Sequence, residues 1–92
     1  MIGIFDSGIG GLTVVKALME IIPDYDIIYF GDTARTPYGS KSSETVIRYA
    51  IENTDFLLEK GAEIIVMACN SASSVATESL VGKYNIPIFE EF

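Results

Sequence analysis

Four short apolar runs punctuate the chain: Ile2-Gly3-Ile4-Phe5, Ile27-Ile28-Tyr29-Phe30, Ile64-Ile65-Val66-Met67-Ala68 and Ile86-Pro87-Ile88-Phe89. The first three are nearly continuously apolar rather than alternating, which is how strands covered by helices on both faces read. Between the first two runs, Leu12, Val15, Leu18, Met19 and Ile22 recur at helical spacing, and Pro23-Asp24 ends the pattern. Between the second and third, Ile47, Ala50, Ile51, Thr54, Leu57 and Leu58 form one stripe. Ser42 or Ser43 suits its N-cap, Glu44 its first turn and Gly61 its stop. A third helix, dominated by small residues, starts near Ser71 with Ala72, Val75, Ala76 and Leu80 on one side. Alternating strands and helices predict an α/β fold: a three-layer, doubly wound parallel sheet of about four strands with three helices and right-handed crossovers. No internal repeat, linker or low-complexity segment interrupts this order, and Gly31 to Ser42 is the one long loop.

A length of 92 residues suits one small domain with a modest core and a thin stability margin. An apolar fraction of 49% makes it globular rather than disordered. The net charge of −7 argues against nucleic acid and against an anionic membrane surface as partners, since both need Lys and Arg to neutralise phosphate. The apolar runs are too short to span a bilayer. No basic segment precedes a long apolar one, so a secretory signal is not expected. A single cysteine fits a reducing, cytoplasmic setting. Without histidine, a Cys–His hydrolase cannot be assembled from this chain alone, and a zinc site has one thiol and scattered carboxylates to draw on. Neither a metal nor a cofactor is expected.

In a parallel sheet of this kind, ligands bind beyond the carboxyl ends of the strands. Three polar clusters fall there: Asp6-Ser7-Gly8-Ile9-Gly10-Gly11, Gly31-Asp32-Thr33-Ala34-Arg35, and Cys69-Asn70-Ser71. In the first, glycines allow a tight turn into a helix whose free N–H groups can hold a carboxylate or phosphate. Asp6 stands where a carboxylate could accept a proton or orient an ammonium group. A turn with an N-cap explains the same residues. So does a nucleotide loop with Asp32 on a ribose, although Thr13 occupies the third glycine position and no Gly-Lys-Ser/Thr follows.

A buried cysteine usually behaves as a small hydrophobe. Cys69, however, lies just past a buried strand and just before a helix start, where the first turn favours a thiolate. Its neighbours Asn70, Ser71, Ser73 and Ser74 suit a small polar ligand better than a core. In the loop Thr36-Pro37-Tyr38-Gly39-Ser40, Tyr38 is either a surface aromatic or a phenol closing over a ligand. Arg35 either neutralises a substrate carboxylate or pairs with Asp32, and the structural role is favoured for both.

Taken together, Phe5-Asp6-Ser7-Gly8-Ile9-Gly10-Gly11-Leu12, Tyr29-Phe30-Gly31-Asp32-Thr33-Ala34-Arg35 with Pro37-Tyr38-Gly39, and Ala68-Cys69-Asn70-Ser71-Ala72-Ser73 resemble the glutamate racemases, across nearly the whole chain. The resemblance implies the first, incomplete domain of a cofactor-free racemase of the aspartate/glutamate superfamily, which interconverts L- and D-glutamate and supplies D-glutamate for peptidoglycan, cell wall biogenesis and cell shape. One cysteine thiolate removes the α-proton and a second thiol delivers a proton to the opposite face. By this resemblance Cys69 is one base, Asp6 is its helper, and Ser7, Pro37, Tyr38, Gly39, Asn70 and Ser71 contact glutamate.

Two departures stand out. Ser71 replaces the family's usual threonine, and Glu90-Glu91-Phe92 departs from the usual acidic residue and proline. The resemblance places a second cysteine and a histidine in a second domain, so residues 1–92 read as a partial N-terminal domain with the second domain absent. On its own this chain is expected to be inactive as a racemase. A homodimer pairing two Cys69 thiols is an alternative, and an exposed sheet edge would also invite self-association. The competing functions are a non-catalytic module for a small carboxylate or for protein interaction, and a nucleotide-binding domain.

Overall fold

The structure, a computed structural model, describes residues 1–8 and 10–90. Ile9 of the glycine-rich cluster and the terminal Glu91-Phe92 lie outside the described residues. Strands β1 (Ile2–Asp6), β2 (Ile27–Gly31), β3 (Ile64–Met67) and β4 (Ile88–Glu90) alternate with helices α1 (Gly11–Ile21), α2 (Ser43–Glu59) and α3 (Asn70–Lys83). All strand pairs are parallel, in the order β2-β1-β3-β4. The expected α/β architecture is therefore present, with β1 at the centre and every one of its residues buried.

Side chains alternate across the sheet, as a pleat requires. Ile2 and Ile4, with Ile27, Tyr29, Ile64 and Val66, meet Val14, Val15 and Leu18 of α1 and its C-cap Ile22 on one face. Phe5, Ile28, Phe30, Ile65, Met67 and Ile88 point the other way, into a larger core with Val46, Ala50 and Leu57 of α2 and Ala72, Ala76 and Leu80 of α3. The small residues that dominate α3 let it lie close beside α2.

Boundaries depart from the sequence pattern for identifiable reasons. The fourth strand begins at Ile88 rather than Ile86, because Pro87 has no N–H to give the ladder; its carbonyl still accepts from Ile65 N at 3.0 Å. Helix α3 starts at Asn70, with Cys69 as its N-cap. Ser42 caps α2, accepting from Thr45 N at 3.2 Å. On α1, Leu12 and Met19 are 66% and 59% exposed rather than buried. At 100° per residue the side facing the sheet is centred on Val15, Leu18 and Ile22, and Leu12 and Met19 flank it. The long loop contains two short 3₁₀ turns, Thr33–Arg35 and Tyr38–Ser40. Among the described residues no helix is long and apolar enough to cross a membrane.

Candidate functional site

The three polar clusters converge where β1, β2 and β3 end. Ala68 N donates to Phe5 O at 2.9 Å and Asp32 N to Asp6 O at 3.0 Å, so the sheet ladder carries on into the segments holding Cys69 and Asp32. A Cβ at Gly8, where φ is +105°, would stand 2.8 Å from Thr33 Cγ2, so the β1–α1 turn lies directly on the second cluster. Only a glycine satisfies both that close approach and the positive φ. A Cβ at Gly39 would meet Ser71 Oγ at 3.4 Å, which brings the Tyr38–Ser40 turn against the start of α3. Asp6, Ser7, Tyr38, Gly39, Cys69, Asn70 and Ser71 thus share one end of the sheet, with Pro37 leading into the turn.

Asp6 is 0% exposed, and both its oxygens are occupied. The carboxylate accepts from Gly8 N at 2.8 Å, from Gly11 N, and from the Tyr29 hydroxyl at 2.9 and 3.0 Å. Gly11 is the first residue of α1, and Gly10, its N-cap, has no side chain to offer. The anion at this helix start is therefore the chain's own Asp6, satisfying an N–H that the fold leaves unpaired and meeting the positive end of the helix dipole. Of the readings open for this segment, the turn with a capping carboxylate is the one this geometry matches, with Asp6 as the anion at the start of α1. In this geometry Asp6 shapes the turn that carries Ser7.

The start of α3 is different. No acidic residue occupies its first turn and Cys69 makes no side-chain cap. Asn70 is exposed, Ser71 half-buried, and Cys69 largely buried against the larger core. Its thiol thus lies at the margin between core and site, beside an open helix N-terminus.

The Tyr38 phenol points inward. It is 1% exposed, donates to Asp32 and accepts from Asn53 Nδ2 at 2.9 Å. Asp32 also accepts from Arg35 Nε at 2.9 and 3.1 Å and from Asn53 Nδ2 at 3.3 Å. Arg35 further bonds Glu52 and Asn53 and lies 4.0 Å over the Tyr49 ring. Asp32 and Arg35 thus take the favoured structural role. Burial alone would push the Asp32 carboxyl up, but hydrogen bonds from Tyr38, Arg35 and Asn53, with the Arg35 charge, hold it below the ordinary range. Two of these partners went unread in the sequence. Tyr29 sits inside an apolar strand run, and Asn53 inside an apolar helix stripe.

These tyrosines set an alkaline limit on stability. Burial, then the Tyr29–Asp6 hydrogen bond and the Asp6 charge, push the Tyr29 phenol up to about 12. Burial and the Asp32 bond raise Tyr38, and burial and Asp55 raise Tyr84, well above the phenol range. A raised pKa means the folded state holds its proton more tightly than the unfolded one. The contribution is full below about pH 10, the unfolded value, and is lost as pH rises through the folded values. Circular dichroism and tyrosinate absorbance should therefore change together above that pH. Ionisation of all five tyrosines near pH 10 with the dichroism intact would contradict this.

No family model matches the chain. It is similar to the glutamate racemase of Aquifex aeolicus, 52% identical over 88 residues, covering 96% of this chain and 35% of that protein. Among solved structures, glutamate racemase from Aquifex pyrophilus superposes with a TM-score of 0.94 at 55% identity, covering 97% of this chain and 35% of the other. The Francisella tularensis glutamate racemase in complex with D-glutamate gives a TM-score of 0.89 at 48% identity, covering 97% of this chain and 34% of the other. The chain spans about a third of the length of the relatives it matches.

Proposed function

We propose, for a chain that belongs to the glutamate racemase family and matches its N-terminal portion, that it supplies one half of a two-base racemase site, with Cys69 as the thiol. The observation that carries this reading is the convergence of Cys69, Asn70, Ser71, Ser7 and Gly39 at one end of the sheet, beside a helix start with no acid of its own. The exposed first turn of α3, the Asn70 amide and the Ser71 hydroxyl offer donors to a substrate carboxylate. The thiolate of Cys69 takes the α-proton. Inversion then needs a donor on the opposite face, and this sequence holds one cysteine. In the complete enzyme the reaction interconverts L- and D-glutamate without a cofactor, in the cytoplasm, and supplies D-glutamate to peptidoglycan. Asp6 serves this half-site by holding the Ser7 turn. The exposed Leu12 and Met19, together on one flank of α1, favour self-association, which sedimentation velocity would detect.

The test is titration of the isotopically labelled chain with D- and L-glutamate in ordinary water, followed by amide NMR, with exchange of the glutamate α-proton read separately by proton NMR in deuterated water. Amide signals of Gly39, Asn70 and Ser71 should shift, and one enantiomer should exchange its α-proton faster than the other, without inverted product. Neither shifts nor exchange would overturn the half-site reading. Inverted product from a monomeric sample would overturn the assignment of a single base.

A further inference from the structure

We propose that Asn53, on α2 and outside every motif of the sequence, is a positioning residue for the half-site: through Asp32 and the Tyr38 phenol it sets the Tyr38–Gly39 turn against Ser71. The inference rests on the proposed glutamate half-site, and it adds the element that fixes one wall.

Asn53 is 1% exposed, and its amide has one consistent orientation. Arg35 is a donor only, so the group 3.1 Å from Arg35 Nη2 is the carbonyl Oδ1. Nδ2 then faces the Tyr38 oxygen at 2.9 Å and Asp32 Oδ2 at 3.3 Å, one hydrogen for each. Receiving from Asn53, the phenol has a single hydrogen left, and it goes to Asp32. Every donor and acceptor in the triangle is thereby assigned, and the phenol has no hydrogen for a ligand. Arg35 seals the outside, bonded to Asp32 and Glu52 and lying over Tyr49, whose ring is 5.6 Å from that of Tyr38. The Tyr38–Ser40 turn is thus anchored to α2 from beneath while Gly39, exposed like Ser40, faces Ser71. A turn held in this way is preorganised, and glutamate need not order it on binding.

The experiment compares Asn53→Asp, Tyr38→Phe and Tyr84→Phe in the intact chain. The first replaces the Nδ2 donor with an oxygen facing the Asp32 carboxylate, and the second removes only the phenolic oxygen. Tyr84→Phe deletes a similar tyrosine–carboxylate bond, to Asp55, elsewhere on α2. Two readouts are taken well below each variant's unfolding temperature: hydrogen exchange of the Lys41 amide, which closes the turn onto Tyr38 O at 3.0 Å, and affinity for D- and L-glutamate. Asn53→Asp and Tyr38→Phe should each lose about tenfold in Lys41 protection and about tenfold in affinity, with Tyr84→Phe matching wild type in both. Should Asn53→Asp fail to fold, Tyr38→Phe decides. Unchanged Lys41 protection in the folded variants overturns the proposal. Lost protection with unchanged affinity overturns it as well, since the turn would then be no part of the binding wall. Lost protection in a chain whose wild type binds neither enantiomer supports the anchoring of the turn by Asn53 and overturns the half-site reading instead.

Discussion

Alanine at position 11 is expected to remove about 3 to 5 kcal/mol of stability, a large share of what a small domain possesses. The added Cβ would overlap Asp6 Oδ2 and stand 2.6 Å from its Cγ and 2.8 Å from Tyr29 Cε1. Asp6 cannot swing out to relieve this, because it is fully buried and held by Gly8, Gly11 and Tyr29. Moving it would strand a carboxylate in the interior and orphan two backbone N–H groups at once, and such losses cost more than the bonds contributed. Urea unfolding of Gly11→Ala measures the difference. A midpoint equivalent to within about 1 kcal/mol of wild type would contradict the argument. Gly82→Ala gives the contrast: nothing lies within 4 Å of a Cβ there and the residue is helical, so it should be neutral or gain about 0.5 kcal/mol.

Cys69→Ala should act on chemistry and leave the fold nearly untouched. The side chain is small and sits at the edge of the larger core, so its truncation should cost about 1 kcal/mol. Exchange of the glutamate α-proton should fall by a factor of about a hundred or more, the usual contribution of a positioned acid–base group. Affinity for glutamate should stay near the wild-type value, because Asn70, Ser71 and Gly39 remain in place. Proton NMR in deuterated water reads the first quantity and amide shift titration the second. Exchange that survives in Cys69→Ala would remove this thiol from the reaction.

Much of the fold was legible because its signals are local. Continuous apolar runs marked the buried strands, Ser42 and Gly61 bracketed α2, and the polar clusters fell at the carboxyl ends as parallel topology requires. On helix α1, Leu12 and Met19 fit the apolar repeat, yet a single helix over β1 and β2 buries only the narrower stripe of Val15, Leu18 and Ile22. The site was legible as a place and less so as a set of roles. Whether Asp6 awaits a ligand or caps a helix depends on where Gly11 N and the Tyr29 hydroxyl point, and tertiary contact decides that. Tyr38 likewise reads as a surface aromatic or a ligand donor until Asp32 and Asn53 are seen to enclose it. One signal was available and unused: position 53 lies three residues after Ala50 and four before Leu57, on the buried side of α2. A polar side chain there had to find polar partners inside the protein.

The central placement of β1 also bears on how the molecule assembles. Both its neighbours are distant along the chain, with Ile2 opposite Ile27 on one side and Ile64 on the other. The ladder at β1 therefore closes only after two crossovers are in place, and such non-local pairing folds slowly. Until it closes, Ile2, Ile4 and Phe5 are uncovered, and β2 and β3 each present an open edge toward the gap. Refolding yield should accordingly fall with protein concentration even under conditions where the finished molecule is stable, because an unpaired strand edge in one molecule can be met by a strand of another.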